Sequence, residues 1–121
     1  RNQFRVYDLN RVPGEFGGQP GSNRCLINVY NWDERWTVRV RENGRDLKVE
    51  QVWAKDPLYI LIRRDALPTR PTAFRAVANP HMFSVEASAP DTPLEVTVTD
   101  RFGRKYRQTV RRPKRFDWQT E

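Results

Sequence analysis

Alternating apolar and polar residues mark several short stretches of the chain, and the clearest is WTVRVR at residues 36–41. Every second residue of this stretch is apolar, beginning with Trp36, and side chains two residues apart lie on the same face of a β-strand. Asn43-Gly44 follows, a pair that accepts the positive φ angles of a tight hairpin turn. The pattern therefore predicts a β-hairpin with Trp36 in the core.

The predicted return strand of this hairpin, residues 46–53, changes phase along its length. Its apolar positions begin at Leu47 and Val49, but Val52 has the opposite parity. One extra residue in a strand shifts the alternation by one position. A β-bulge is therefore predicted near Glu50-Gln51.

A second hairpin is predicted near the end of the chain. LEVTVT alternates from residue 94 onward, and DRFG then supplies Asp100 and Gly103 at the two ends of a turn, where they favour type I geometry. The stretch RKYRQTV returns with Tyr106 and Val110 on the apolar face. This pattern is again that of two half-buried antiparallel strands.

Further strands are predicted at residues 4–9, 24–30 and 58–62, and no segment shows sustained helical periodicity. At most a short helical turn is expected around residues 63–67. Short strands separated by Gly, Pro and Asn/Asp residues are typical of antiparallel sandwiches and barrels. The predicted fold class is all-β: a single antiparallel β-sandwich, or a partly open barrel, with one long proline-rich connection.

Two connections interrupt the strand pattern. Residues 11–23 are rich in Gly and Pro and are predicted to form a loop. Residues 67–83 carry three prolines, which argues against a central strand, yet they also carry four large apolar residues that must pack on the sheet or on a neighbouring domain. The candidate docking surface for a neighbouring domain comprises Phe74, Val77, Met82 and Phe83, with Arg70 and Arg75 as its polar rim.

Length and composition describe one ordinary domain. The 121 residues suffice for a single core, so residues 1–121 are assigned to one β-sandwich domain, with the tail from about residue 113 outside the sheet. The longest apolar run is far shorter than the roughly 20 residues that span a bilayer. Cys25 is the only cysteine, which excludes an internal disulfide, and its apolar neighbours predict a buried side chain.

The residues required for most hydrolytic chemistry are missing. His81 is the only histidine and has no second histidine or cysteine with which to hold zinc. The acids that lie close in sequence flank turns, where carboxylates cap backbone N–H groups, and the Gly-rich stretch lacks the Lys-Ser/Thr ending of a phosphate loop. No catalytic, metal-binding or cofactor-binding residue is therefore predicted in this chain.

Charge is the strongest chemical signal. A formal net charge of +7 and a pI near 10.2 favour polyanionic partners, although 15 acidic residues are interleaved with the basic ones. No aromatic-glycine RNA motif or basic helix is present, so nucleic acid is disfavoured. The alternative ligand surface, for a glycan or another polyanion, combines the loop tryptophans Trp32 and Trp53 with Lys105, Arg107 and Arg111 of a basic strand. For Trp32 the competing interpretation is packing over one end of the sandwich.

Four motifs occur in an order that resembles a known family. These are INVYNWDERWTVRVRENGRDL at 27–47, DPL at 56–58, NPHMFSVEA at 79–87 and LEVTVTDRFGRKY at 94–106. Together they resemble the C-terminal domain of bacterial, Bacteroidetes-type, calcineurin-like metallophosphoesterases, and the resemblance covers about residues 3–112. In that family the C-terminal β-domain follows a central metallophosphoesterase domain in an exported chain.

The resemblance implies a function for the parent protein and a different one for this domain. The parent is expected to hydrolyse phosphoesters with two metal ions and to lie outside the cytoplasm, in the periplasm or at the cell surface. His81 falls in the family's Pro-His-(apolar)-Phe segment, where it is expected to order a loop. The domain itself is expected to be a non-catalytic accessory domain that packs on or shapes the adjoining metallophosphoesterase domain. An independent module that binds a glycan or another polyanion is the alternative.

Overall fold

The structure is a computed structural model of the chain and describes residues 3–58, 60–61 and 79–116. These residues form eight β-strands, one short 3-10 helix and a helical turn at residues 57–58 and 60–61. The strands are β1 (Phe4–Asp8), β2 (Arg24–Val29), β3 (Thr37–Glu42), β4 (Arg45–Asp46), β5 (Val49–Ala54), β6 (Asn79–Glu86), β7 (Leu94–Thr99) and β8 (Lys105–Val110), and the 3-10 helix is Gly14–Phe16.

The strands form two four-stranded antiparallel sheets. The first sheet has the order β1-β2-β6-β5 and the second sheet has the order β4-β3-β7-β8. The two sheets pack face to face and do not close into a barrel, so the all-β sandwich prediction is confirmed. Among the described residues, no helix is long and apolar enough to cross a membrane.

The main core lies between the two sheets, where the alternating apolar residues of the predicted strands meet. Its fully buried members are Phe4, Val6, Cys25, Ile27, Val29, Val40, Val85, Leu94, Val96, Val98 and Val110. Trp36 is half-buried and packs against this cluster together with Val38. The face assigned to Trp36 from the alternation is therefore correct, although part of its ring meets solvent.

A second, smaller core covers the outer face of the first sheet. Tyr7, Leu26 and Met82 project from the sheet, and Val12 and Phe16 of the Gly/Pro-rich loop close over them. The burial of both sheet faces explains why β2 reads as a nearly continuous apolar run rather than as an alternating one. Partly buried residues at its margin are Val52, Ala54, Leu58, Ile60, Leu61 and Phe116.

The first hairpin is shorter than predicted. Asn43 and Gly44 both have positive φ, 51° and 80°, as expected for this turn. However, β4 pairs with β3 at only two positions, and β5 then joins the first sheet as the neighbour of β6. The change of phase instead reflects burial of both faces of β5, with Val49 against the main core and Val52 against the smaller one, and the bulge predicted near Glu50-Gln51 is wrong. Register is unbroken from Val49 to Val52 and shifts only after Val52.

The described residues of the apolar stretch LYILI are helical rather than extended. Residues 57–58 and 60–61 are helical, and the N–H of Leu58 donates to Oδ1 of Asp56 at 2.8 Å. Asp56 thus caps the first turn, and Pro57 occupies the first helical position, where its missing N–H costs nothing. The strand predicted at 58–62 is replaced by an Asp-capped helical turn that lies against the smaller core.

Strand β6 corrects the interpretation of the proline-rich connection. It runs from Asn79 to Glu86 and is a central strand, paired with β2 on one side and β5 on the other. Met82 and Phe83 are both buried, the first in the smaller core and the second in the main core. These two residues therefore do not form a docking surface on the domain. The other residues of that prediction (Arg70, Phe74, Arg75 and Val77) and the helical turn predicted at 63–67 lie outside the described residues.

The segment that follows β8 leaves the second sheet and crosses to the first. The backbone N–H of Lys114 donates to Oδ2 of Asp8 at 3.0 Å, and Nζ of Lys114 donates to the carbonyl of Val6 at 2.6 Å. The ring of Phe116 lies 5.7 Å from that of Phe16 and 6.1 Å from that of Tyr7. Residues 112–116 thus bind to β1, the edge strand of the first sheet, and place Phe116 against the smaller core.

Candidate functional surfaces

The sandwich has two ends with different chemistry. At the proximal end, where the chain enters β1 at Phe4, lie residues 30–36 between β2 and β3 and the β7–β8 turn at 100–104. At the distal end lie the β3–β4 turn and the segment between β6 and β7. A hydrogen bond from the N–H of Ser88 to the side chain of Glu42 places these last two elements together.

The proximal end carries the exposed large aromatic side chains found in the described part of the chain. Among the described residues, the large hydrophobic side chains that remain exposed are Trp53 (73%), Phe102 (72%) and Tyr30 (38%). Each lies at this end, because β2 ends at Val29, β5 ends at Ala54 and Phe102 forms the tip of the β7–β8 turn. Apolar side chains left in water and grouped on one surface indicate a contact site.

Four contacts hold the β7–β8 turn and its neighbours in place. Asp100 accepts backbone hydrogen bonds from Phe102 at 2.8 Å and Arg104 at 3.0 Å, so the turn is rigid. Arg101 lies 3.9 Å from the carboxylate of Asp33 in the β2–β3 segment. The guanidinium of Arg101 also stacks on Phe102, 4.8 Å from the ring centroid. The Phe102 ring is therefore presented to solvent in a defined position rather than on a loose loop.

Trp32 belongs to the interior of the proximal end. Its ring meets that of Phe83 edge-on at 5.7 Å and lies 5.9 Å from the ring of His81. Its indole Nε1 is buried and has no hydrogen-bond partner. Of the two interpretations left open by the sequence, packing over the end of the sandwich describes Trp32. The contact places His81, on β6, against the β2–β3 segment that carries Trp32.

The predicted alternative ligand surface is not one surface. Trp53 lies on β5, an edge strand of the first sheet that faces β3 across the sandwich. Lys105 and Arg107 lie on β8, the opposite edge of the second sheet, and their side chains are exposed with that of Arg111. The basic residues therefore share one face, and the tryptophans are absent from it.

An open groove of about 990 Å³ crosses the outer face of the first sheet. Its apolar floor includes Leu26, Val52 and Ile60, and Trp53 stands at its proximal margin. Acidic and basic side chains alternate around the rim, namely Glu15, Arg24, Glu50 and Lys55. This mixture of charges selects for no single class of ligand.

Nothing in the described part of the chain resembles a hydrolytic centre. Among the described residues, no group of three or more His, Cys, Asp or Glu side chains lies close enough to hold a metal ion. Burial raises the pKa of the Cys25 thiol to about 12, which keeps it protonated and unreactive. These residues do not fit the two-metal site that the resemblance implies for the parent protein.

A buried polar network closes the distal end. Glu42 accepts hydrogen bonds from the backbone N–H of Ser88, at 3.1 Å, and from the hydroxyl of Thr92. Arg112 donates to the carbonyls of Thr92 at 2.8 Å and Ala89 at 2.9 Å, and to the Thr92 hydroxyl at 3.1 Å. The network joins β3, the β6–β7 segment and the end of β8, and its role is structural.

The environment of the Glu42 carboxyl predicts that the stability of the domain depends on pH. Burial alone would raise the pKa of its carboxyl, but the hydrogen bonds from Thr92 and Ser88 and the Arg112 charge outweigh that effect and hold the pKa below its ordinary value. Because the pKa of Glu42 is lower in the folded protein than in the unfolded chain, its ionised carboxylate stabilises the fold. This contribution is complete above the unfolded pKa of about 4.3 and is lost as the pH falls through the pKa of the folded protein.

We therefore expect Glu42→Gln to reduce stability at pH 7 and to flatten the loss of stability in acid. Urea unfolding measured from pH 7 to pH 3 gives the two curves, which should converge as the pH falls. Glu95→Gln, at an exposed position on β7, serves as the control and should run parallel to the wild type. A Glu42→Gln curve that also runs parallel would show that the carboxyl titrates normally.

A second buried hydrogen-bond group holds the helical turn on the first sheet. The hydroxyl of Tyr7 donates to Oδ1 of Asp56 at 2.6 Å, and Nδ2 of Asn28 donates to Oδ2 at 2.6 Å. Burial and the nearby Asp56 carboxylate raise the pKa of Tyr7, so this phenol stays protonated. The group fixes the position of Asp56, which caps the helical turn, and no nucleophile or metal ligand is added by it.

Comparison with known protein families assigns this chain to a family. A family described as the C-terminal of calcineurin-like phosphoesterase matches residues 1–106, which include seven of the eight strands and the start of β8. The chain belongs to this family. Members of it are the non-catalytic C-terminal accessory part of calcineurin-like phosphoesterases, and the family implies an adjoining phosphoesterase domain in the same chain. No curated protein and no solved structure showed significant similarity.

Membership of this phosphoesterase C-terminal family directs attention to contact surfaces. Sequence reasoning missed two of the exposed aromatic residues, Tyr30 and Phe102. A signal for Phe102 was present, because a large apolar residue at the tip of a four-residue turn cannot reach the core of its own hairpin. Tyr30 carries no such signal, because it directly follows the nearly continuous apolar run of β2 and reads as its continuation.

Proposed function

We propose that this C-terminal domain docks through its proximal end onto the phosphoesterase domain that precedes it, and so fixes the position of that domain. One observation carries the proposal. The large hydrophobic side chains left exposed among the described residues all lie at the end of the sandwich where the chain enters β1. A C-terminal domain meets the preceding domain at this end, because the connection between them reaches the sheet at Phe4.

The position of the connection strengthens a contact of modest size. A surface that lies next to its tether meets its partner at a high effective concentration, so a weak contact suffices to hold the two domains together. Interfaces between domains of one chain are also smaller and more polar than permanent subunit interfaces. Three exposed aromatic rings are consistent with such a contact.

The composition of the proximal end agrees with an interface between domains. Aromatic residues and arginine are enriched in interfaces, and charged groups lie at the rim. Phe102 supplies an aromatic anchor held by its turn, and Arg101 and Asp33 form an ion pair beside it. Nε of Arg5 donates a hydrogen bond to the hydroxyl oxygen of Tyr30 at 3.4 Å.

The finer features of the parent protein are part of the same proposal. We infer an exported, extracytoplasmic enzyme that hydrolyses phosphoesters with two metal ions held in its own catalytic domain. The support is the order and spacing of the four motifs at 27–47, 56–58, 79–87 and 94–106. This domain contributes no ligand to those metals in the proposal, and its role is positional.

Hydrogen exchange on the parent protein tests the docking. The backbone amides of residues 30–36 and 100–104 should exchange more slowly in the parent than in the isolated domain, because docking covers them. The amides of the β3–β4 turn at the distal end provide the internal control and should exchange equally in both. Equal exchange of all three segments in the two proteins would exclude the proximal end as the docking surface.

A substitution in the parent tests the anchor. Phe102→Ser should restore fast exchange in residues 30–36, since loss of a central aromatic contact weakens an interface by about 1–3 kcal/mol. Arg45→Ser, at an exposed position by the distal turn, is the matched control and should leave the exchange of that segment unchanged. Unaltered protection in the Phe102→Ser parent would rule out the anchoring role of this residue.

A further inference from the structure

The outer face of the second sheet has a groove with cationic walls. Its central strand, β7, carries the short side chains Thr97 and Thr99, which are half-buried. The strands on either side carry long cationic side chains, Arg39 and Arg41 on β3 and Lys105 and Arg107 on β8. The groove between these walls has a volume of about 640 Å³.

The register of the sheet sets the size of the groove. Thr97 is paired with Arg39 on one side and with Arg107 on the other, so this threonine lies between the two arginines in the sheet. Neighbouring strands are about 4.8 Å apart, which places the walls about 10 Å apart at the backbone, and the residues from Glu95 to Thr99 span about 14 Å. These dimensions suit one extended polymer chain.

The two walls differ in how firmly their charges are held. Arg39 makes two hydrogen bonds to Asp46, at 2.6 and 2.9 Å, and these lower the pKa of Asp46, which stays ionised. Arg39 is therefore held in a fixed orientation. Lys105 and Arg107 make no ion pair with any residue in the described part of the chain, and both are exposed. Their charges are available to a ligand.

We propose that this cationic groove, formed by Arg39, Thr97, Thr99, Lys105 and Arg107, binds a linear anionic polysaccharide that bears sulfate or carboxylate groups. Guanidinium groups bind such anions through paired hydrogen bonds. The threonine hydroxyls of the floor donate to and accept from sugar hydroxyls. Of the described residues that line the groove, the acidic one is Glu95 at its distal end, and Asp46 pairs with Arg39 and Arg41 beside the β3 wall. An anionic chain is therefore expected to lie over Thr97 and Thr99, on the side of Lys105 and Arg107.

The chemistry of the floor selects a glycan over a nucleic acid. Single-stranded nucleic acids are bound by basic grooves in which aromatic rings stack on the bases. The residues that line this groove include no aromatic side chain, and Trp53 lies on the other sheet. The site is also separate from the proposed docking surface, since it uses the face of the second sheet rather than the proximal aromatic residues.

Titration of the domain with model polymers tests the inference. The probes are heparin, a sulfated glycan, and polygalacturonate, a carboxylated one, with neutral dextran and oligothymidylate as comparisons, all in about 0.15 M salt. Saturable binding of at least one anionic glycan, tighter than that of oligothymidylate, is expected. Absence of saturable binding to both anionic glycans, or tighter binding of oligothymidylate, would overturn the proposal.

A pair of double variants with equal change of charge locates the site. Lys105→Gln/Arg107→Gln should weaken binding about tenfold and reduce its dependence on salt, because two ionic contacts are lost. Lys48→Gln/Lys55→Gln removes the same charge from exposed positions outside the groove and should change the affinity less than twofold. Thermal melts confirm that both variants are folded. Equal weakening by the two would show attraction to net charge and refute the groove.

Discussion

Replacing Arg112 with alanine is expected to lower the free energy of unfolding by about 3–5 kcal/mol, the range measured when one member of a buried charged network is removed. Arg112 is only 6% exposed, and it donates to the carbonyls of Ala89 and Thr92 and to the Thr92 hydroxyl. Its loss leaves these acceptors without a partner. It also leaves the ionised Glu42 in a buried site without the charge that compensates it.

The neighbouring arginine is the control for this prediction. Arg111 is exposed, and surface substitutions of that kind usually change stability by less than about 0.5 kcal/mol. Urea unfolding at pH 7, followed by circular dichroism, measures both variants against the wild type. Similar small losses for Arg111→Ala and Arg112→Ala would mean that the distal network adds little to stability.

Half of this network could have been predicted from the sequence. Glu42 has the same parity as Val38 and Val40 in β3, and the alternation therefore places a carboxylate on the inward face. A buried carboxylate requires hydrogen-bond donors or a cation. The identity of those partners could not be predicted, because Thr92 and Arg112 lie 50 and 70 residues further along the chain, and no local pattern reports which loops meet at one end of a sandwich.

The interiors of the hairpins could be predicted because they depend on the local alternation of apolar and polar residues. The sheet to which a strand belongs depends on long-range pairing, which local alternation does not report. The phase change before Val52 is real, but a bulge and a strand with both faces buried produce the same change of parity. The structure shows the second case: Val49 packs against the main core, and Val52 packs against the smaller core from the opposite face of the same strand. Long-range pairing with β6 decides between them, and that strand was not predicted.

Two errors came from giving one signal too much weight. Asp56-Pro57 is a sequence signature of a helix start, yet the apolar run that follows was interpreted as a strand. The prolines of residues 67–83 argue against a central strand, but β6 accommodates Pro80 where the pairing is irregular. From Asn79 to Met82 the strand β6 advances three residues while β5 advances two.

The position of β6 also explains why the predicted docking surface was misplaced. Met82 and Phe83 are adjacent in a strand and therefore point to opposite faces of the first sheet. Both faces of that sheet are covered, one by the second sheet and the other by the Gly/Pro-rich loop. Neighbouring apolar residues in a strand indicate burial on two sides as readily as an exposed patch, and only the tertiary structure separates the two cases.

Trp32→Ala is expected to lower the free energy of unfolding by about 3 kcal/mol, at the lower limit of the range for removing a buried aromatic ring. The Trp32 ring packs on Phe83 and His81 at the proximal end of the main core, and alanine would leave a cavity there. Trp36 is half-buried against the same core. The loss from Trp36→Ala should thus be similar.

The control for this prediction is Trp53→Ala, which makes the same chemical change at a side chain that is 73% exposed. Because its ring is largely in water in the isolated domain, its removal should cost less than about 0.5 kcal/mol. Urea unfolding followed by circular dichroism compares the three variants without relying on tryptophan fluorescence. A Trp32→Ala loss as small as that of Trp53→Ala would mean that the ring covers the end of the sandwich without supporting it, and that it remains available as a ligand platform.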